Sequence, residues 1–282
     1  MRADLHSHSS ASDGTDPPAE VMRRAAAAGL DVIALTDHDT VAGHPEARAA
    51  RPAGLTLVPG IELSSWLDRR SVHLLGYMFD PADPALAAEA AAIRESRVTR
   101  ARAIVARLEE LGAPVSWDQV MAIAAGGVVG RPHIARALAQ AGVVASPADA
   151  FSPQWIGTGG RAHVRRYAPD PVRAIGLIRA AGGVTVLAHP RAGPRGGPVS
   201  DEQIARLAAA GLAGIEVDHP SQDQAERQLL RALATDLDLV VSGGSDDHGE
   251  LTGHRLGCDT ISPENYQRLV AQATGAAPVS GR

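Results

Sequence analysis

The chain has no lysine and a single cysteine, Cys258, in 282 residues. One thiol excludes a disulfide framework and a thiolate metal cluster, so any bound metal must take imidazole and carboxylate ligands, the set of a hard or borderline divalent ion. All 27 basic residues are arginine, a compositional bias with no functional weight of its own. Against 32 acidic residues they leave a net charge of −5. There is thus no overall basic field for long duplex nucleic acid, and phosphates would have to be held locally. No apolar run approaches the roughly 20 residues of a membrane span. The amino terminus enters the first strand without a charged, then apolar, signal region, so a cytoplasmic location without membrane attachment is expected. Phosphate-loop glycine spacing is missing too: Gly126-Gly127 and Gly196-Gly197 read as turns. There is no internal repeat, and 191–198 reads as a loop.

What the chain does have is a set of short apolar stretches that end in histidine or carboxylate. Asp4-Leu5 runs into His6-Ser7-His8, 32–36 into Asp37-His38-Asp39, 57–61 into Glu62, 184–188 into His189-Pro190, and 239–242 into Ser245-Asp246-Asp247-His248. Five such endings are the pattern of ligands at the carboxyl ends of parallel strands. His6 and His8 are two apart and face the same way if the strand continues through them. Asp13 lies in the turn-rich Ser9-Ser-Ala-Ser-Asp-Gly14, which can fold a carboxylate back over the site. With His38, Glu62, His73, His189, Asp246 and His248 this makes nine ligands, more than one or two ions need, and three ions is the economical reading. Asp37 and Asp39 are expected to orient His38 or cap a helix. Asp218-His219-Pro220 copies the pattern of His189-Pro190.

Strands are expected near 3–5, 32–36, 55–61, 72–77, 184–188, 214–217 and 239–242. Helices are expected at 17–28, with Asp16 as its cap and a proline in its first turn, and at 171–181, 201–210 and 222–235. Strand and helix alternating at this spacing argue for parallel βα units. About seven strands with ligands at one end suggest a barrel: an α/β, distorted seven-stranded (β/α)7 TIM-like fold built from 1–83 and 161–282. Between them 84–160 breaks the rhythm with helical stretches at 84–111, 117–125 and 132–141 and no strand. It is expected to be a helical insertion that contributes to substrate binding.

The segments Asp4-Leu-His-Ser-His8, Ser12-Asp-Gly14, Leu35-Thr-Asp-His-Asp39, Gly60-Ile-Glu62, Val72-His-Leu-Leu-Gly76, Ala188-His-Pro190 and Gly244-Ser-Asp-Asp-His248 resemble, in order and spacing, the PHP (polymerase and histidinol phosphatase) superfamily. The resemblance spans nearly the whole chain. It is strongest to the small stand-alone members that hydrolyse nucleoside 3′,5′-bisphosphates or short RNA from the 5′ end, and Gly130-Arg-Pro-His133 is similar to their substrate loop. The resemblance implies a trinuclear site. His6, His8, Glu62 and Asp246 would hold the first ion, and Glu62 would bridge to a second held by His73 and His189. Asp13, His38 and His248 would hold the third. It assigns no ligand at His219, for which a capping or surface role is then expected. Asp247 departs from the usual small or aromatic residue, which puts the local pocket wall in question.

Three divalent ions and three carboxylates would leave the site at about +3, favouring phosphate despite the acidic composition. A hydroxide bridging two ions, with His8, Asp13 and Asp246 around it, would attack phosphorus in line. Arg131 and His133 are candidates to grip a second phosphate, the arginine through its fork, although they also suit a polar loop entering a helix. Arg191, beside His189, is a further substrate-binding candidate; His163 and Arg165 are weaker ones, and His44 and His254 are expected at the surface. Manganese, zinc, iron and magnesium all suit the ligands, manganese being favoured. The expected substrate is a small phosphorylated nucleotide or short oligonucleotide, with histidinol phosphate as the alternative. A non-catalytic PHP module regulating a partner usually belongs to longer chains that lose ligands. A single-metal amidohydrolase barrel would typically need a lysine.

Overall fold

A computed structural model describes residues 1–68, 70–124, 129–192 and 197–280. Gly126-Gly127, Gly196 and part of the 191–198 loop lie outside the described residues. The chain divides into two compact units, one of residues 1–90 with 168–282 and the other of 91–167.

The first unit holds seven strands in the sheet order of the chain: β1 (Ala3–Asp4), β2 (Val32–Leu35), β3 (Thr56–Leu67), β4 (Arg70–Tyr77), β5 (Val184–Leu187), β6 (Gly214–Asp218) and β7 (Val240–Gly243). The first and last edges approach through Ser7 and Asp247, which form a parallel bridge, and through His8 N–H to Asp247 O at 2.9 Å and Asp246 N–H to His6 O at 2.8 Å. The barrel is thus nearly closed, and a short β8 (Val279–Ser280) pairs outside this path with β3. Inside it Leu5, Ala34, Val58, Leu75, Tyr77 and Val186 share one buried cluster. The Tyr77 hydroxyl donates to Leu5 O at 2.8 Å, which satisfies its only polar atom.

All seven expected strands are present, but not all are parallel. β4 runs antiparallel to both β3 and β5, because 68–69 join β3 to β4 directly. A link of hairpin length cannot make the crossover that a parallel pair requires. The expected helices of this unit appear as α1 (Pro18–Ala27), α6 (Pro171–Ala180), α7 (Asp201–Ala209) and α8 (Gln224–Asp236), joined by α2 (His44–Ala50) and α9 (Pro263–Gln272). Asp16 does not cap α1, whose N-cap is Pro17. Its carboxylate instead meets Arg24 Nε at 2.8 Å. In 91–167 lie most of α3 (Pro84–Glu110), then α4 (Trp117–Ala124) and α5 (Arg131–Gln140), with no strand among the described residues. These helices enclose a core of their own that includes Ile104, Leu108, Val120, Ile134 and Leu138. Among the described residues no helix is long and apolar enough to cross a membrane.

Candidate metal centre

The parallel strands deliver their ends to one place. His6 and His8 follow β1 and are buried, as is Glu62 within β3. Glu62 is the hub. Its Oε2 lies 3.3 Å from His6 Nε2, 3.1 Å from His8 Nε2 and 3.1 Å from His38 Nδ1. Its Oε1 lies 2.7 Å from His73 Nδ1 and 3.3 Å from His189 Nε2. Asp246, after β7, places Oδ1 3.3 Å from His6 Nε2 and 3.2 Å from His8 Nε2. On the far side of His8, Asp13 comes within 3.4 Å of His248 Nε2 and 3.7 Å of His38 Nε2. All nine residues expected from the sequence therefore meet in one cluster.

Their possible ligand atoms fall into overlapping groups, each within 4.8 Å: His6, His8, Glu62 and Asp246; His8, Asp13, His38 and His248; and His38, Glu62 and His73. The first group is the expected one, and the second is the expected trio joined by His8. In the third His38 stands beside Glu62 and His73, where His189 was expected. His189 touches the group through Glu62 Oε1.

The donor set fits a divalent cation. His6 Nε2, both nitrogens of His8, His38 Nδ1 and Glu62 Oε2 are buried and make no hydrogen bond. Leaving five such atoms unsatisfied is costly, and ligation by a cation satisfies lone pairs that hydrogen bonds do not. Burial opposes ionisation of Glu62, yet the imidazoles of His38, His73 and His6 hold it well below the usual carboxylate range. Asp13 and Asp246, likewise buried among histidines, are held well below it too. Burial, outweighing Glu62 and Asp13, pushes His38 down to about 3 and keeps it neutral. Against burial, Asp246 and Glu62 lift His8 to about 10, so a metal would displace a proton on binding.

Around the ligands lies a layer of supports. Asp37 accepts from Ser9 N–H at 2.8 Å, Ser9 Oγ at 2.7 Å and Ser12 Oγ at 2.6 Å, pinning the turn that carries Asp13. Asp39 accepts from Ser64 N–H at 2.7 Å and ties β2 to β3. These bonds hold the segments on either side of His38 and do not reach its ring. Asp247 is bonded within the turn that carries it. It is buried and accepts from Arg255 N–H at 2.7 Å and Thr252 Oγ at 2.9 Å, stapling the turn after β7.

Two residues of the site escape the sequence reading. Glu216, inside β6, accepts from His6 Nδ1 at 2.9 Å and from His189 N–H at 2.8 Å. His219 is not on the surface: it is 3% exposed and its Nε2 lies 3.3 Å from Asp246 Oδ2. With His6 these two form a fourth group of possible ligand atoms. His44 is also more enclosed than expected, its Nε2 donating to Gly60 O at 2.8 Å. His254 is exposed as expected.

The other candidates sit differently. His133 Nδ1 accepts from Gly130 N–H at 3.0 Å at the start of α5, and Arg131 lies 5.6 Å over the Phe151 ring. The Arg191 guanidinium is engaged by Asp201 and the Val199 carbonyl.

A barrel with this ring of histidines and carboxylates at its strand ends defines a metal-dependent hydrolase. The model of the PHP domain matches residues 4–107. The chain is 39% identical over 246 residues to a 5′-3′ exoribonuclease of Haemophilus influenzae, covering 87% of this chain and 89% of that protein. It is 37% identical to a 3′,5′-nucleoside bisphosphate phosphatase of Chromobacterium violaceum, covering 89% of each. A solved structure from Bifidobacterium adolescentis, described as a metal-dependent phosphoesterase, superposes with a TM-score of 0.85 at 32% identity, covering 96% of both chains. The chain belongs to the PHP family of metal-dependent phosphoesterases. It is a hydrolase of phosphate esters.

Proposed function

We propose that the chain releases phosphate from nucleoside 3′,5′-bisphosphates, or cleaves short 5′-phosphorylated oligoribonucleotides, at a site holding three divalent ions, with manganese the favoured metal. One observation carries the multi-ion part: Glu62 turns one oxygen to His6, His8 and His38 and the other to His73 and His189, the disposition of a bridging carboxylate. His6, His8, Glu62 and Asp246 would hold one ion, Glu62, His73 and His189 a second, and Asp13, His38 and His248 the third. Such ions, when bound, polarise a phosphoryl group and make water acidic enough to ionise near neutral pH. His8, Asp13 and Asp246 would surround the attacking hydroxide, and Asp37 holds the turn that carries Asp13.

The two relatives named for a bisphosphate phosphatase and a 5′-3′ exoribonuclease support the substrate class. Both chemistries ask for attack at a phosphate ester beside a second, uncleaved phosphate. Arg131 and His133, in the helical insertion 84–160, are proposed to bind that second phosphate. Arg191 would have to leave Asp201 to take part.

The test is metal analysis of the purified protein beside phosphate release from adenosine 3′,5′-bisphosphate, a 5′-phosphorylated RNA tetramer and histidinol phosphate. Faster turnover of the bisphosphate or RNA with at least two ions per chain is expected. Equal or better turnover of histidinol phosphate overturns the substrate, and full activity with fewer than two ions overturns the trinuclear site. Undiminished turnover after His8→Ala and Asp13→Ala have abolished metal binding would overturn the metal-dependent mechanism proposed here.

A further inference from the structure

After β7 the chain passes through Asp246-Asp247-His248, makes a short 3₁₀ turn at Gly249–Thr252, and reverses through Gly253 and His254, both at positive φ. The reversal brings the Arg255 N–H to Asp247 Oδ1 at 2.7 Å. From there the Arg255 side chain turns back on the residue next door. Its Nη2 donates to Asp246 O at 2.9 Å and lies 3.8 Å from Asp246 Oδ2. The Nε–H is buried and makes no hydrogen bond. A guanidinium has five donors, and a head in water would satisfy all of them. This one is placed by Asp246 at the cost of one of its own donors.

Asp246 O is a shared point. His248 Nδ1 also meets it, at 3.1 Å. A carbonyl oxygen only accepts, so Nδ1 carries a proton and the neutral ring presents Nε2 as its lone pair, 3.4 Å from Asp13 Oδ1. The carboxylate of Asp246 is divided in the same sense. Oδ1 faces His6 and His8, while Oδ2 meets His219 Nε2 at 3.3 Å and the Arg255 charge. Asp246 has a φ of 48°, a conformation that persists only where its surroundings impose it, and two donors on its carbonyl help to do so. Arg255 thus braces a member of one ligand group, and through one oxygen a member of another, since His248 stands with Asp13 and His38.

We infer that Arg255 is a positioning residue of the metal centre, which holds Asp246 and His248 in place for two different ions and acts through them rather than on the substrate. The inference rests on the ligand assignment proposed above. The remaining ion, on Glu62, His73 and His189, has neither residue among its ligands and should not feel the change. Asp247 gains a role as well: it anchors the backbone from which Arg255 reaches back, so the two side chains should act as a unit.

The experiment is titration of the full chain with Mn2+ against a fluorescent chelator, beside thermal denaturation in EDTA and the kcat and KM for adenosine 3′,5′-bisphosphate at saturating Mn2+. In Arg255→Met two of the bound ions should weaken about 10-fold and the rest keep their affinity. The melting temperature in EDTA should stay within about 4 °C of the natural protein, as expected for one lost hydrogen bond. The kcat should fall about 10-fold with KM nearly unchanged. Arg255→Lys keeps the charge and a donor, and should recover part of both losses. Asp247→Asn should weaken the same two ions, and the double variant should lose less than the sum of the singles. Unchanged Mn2+ affinity in Arg255→Met overturns the inference, as does a raised KM with kcat and affinity intact, which would make Arg255 a substrate contact. An affinity loss matched by a collapsed melt in EDTA and not recovered by lysine overturns it too. Fewer than two ions bound by the natural protein overturns the ligand assignment and this inference with it; a natural protein that binds them beside an indifferent Arg255→Met overturns this inference alone.

Discussion

Glu216 Oε1 accepts the Nδ1–H of His6 at 2.9 Å, and both side chains are wholly buried. A carboxylate in this position fixes the imidazole tautomer, leaving Nε2 as a lone pair facing Glu62 and Asp246. The other Glu216 oxygen accepts from His189 N–H at 2.8 Å, so one side chain aligns ligands from two strands. Glu216→Gln should therefore weaken metal binding about 10- to 100-fold while the chain stays folded. Competition with a chromogenic chelator, alongside circular dichroism, reads this; unchanged affinity would remove Glu216 from the site.

His219 supports Asp246 in a similar way. Ser221 N–H donates to His219 Nδ1 at 3.0 Å, so Nε2 carries a ring proton and points at Asp246 Oδ2, 3.3 Å away. That leaves Oδ1 for the cluster. His219→Phe keeps the ring and loses the donor, and should lower metal affinity by about 10-fold. His219→Gln, which retains an N–H, should recover part of the loss in the same titration.

Gly244 leaves no room beside the first metal strand. A Cβ there would lie 2.4 Å from His6 Cβ and 2.7 Å from His6 N. Since backbone and Cβ cannot swing away, Gly244→Ala should cost about 1–3 kcal/mol of stability by overpacking. Metal content should fall together with the melting temperature. A variant that melts normally and keeps its full metal complement would show that the strand shifts freely.

His44 predicts a pH dependence. Burial, outweighing its bonds to Gly60 O and Leu35 O, lowers its pKa below the ordinary imidazole value. The unfolded chain therefore binds a proton more readily than the folded one, and stability rises with pH between the folded and unfolded values. The contribution is whole above about pH 6.5 and is lost as pH falls toward the lower, folded value. His44→Gln keeps an N–H for Gly60 O but cannot titrate. Urea unfolding at descending pH should show the natural protein losing stability faster than the variant below about pH 6.5; parallel curves would refute it.

The strand ends are legible in the sequence because an apolar run that stops at a histidine records both a buried strand and a polar mouth. Val32–Leu35 before Asp37-His38-Asp39 is the clearest case. The direction of β4 is not legible in its own residues, since Val72, Leu74 and Leu75 would be buried either way. It follows from the short link at 68–69. Glu216 is hidden because Gly214–Asp218 reads as an ordinary apolar strand. The signal available was a lone carboxylate between Ile215 and Val217. His219 carried the same strand-end signal as His189, and spacing alone would have found it.

Asp39, His189 and Asp246 all adopt positive φ, at 55°, 29° and 48°. Such backbone costs of the order of 1–3 kcal/mol at each non-glycine residue and persists where surrounding structure imposes it. A selection for heat resistance alone would therefore be drawn to these positions, because glycine there relieves the strain. It would reward the loss of the side chains that the cluster needs. Thermostable descendants of this chain should be sought in variants that leave those three residues untouched.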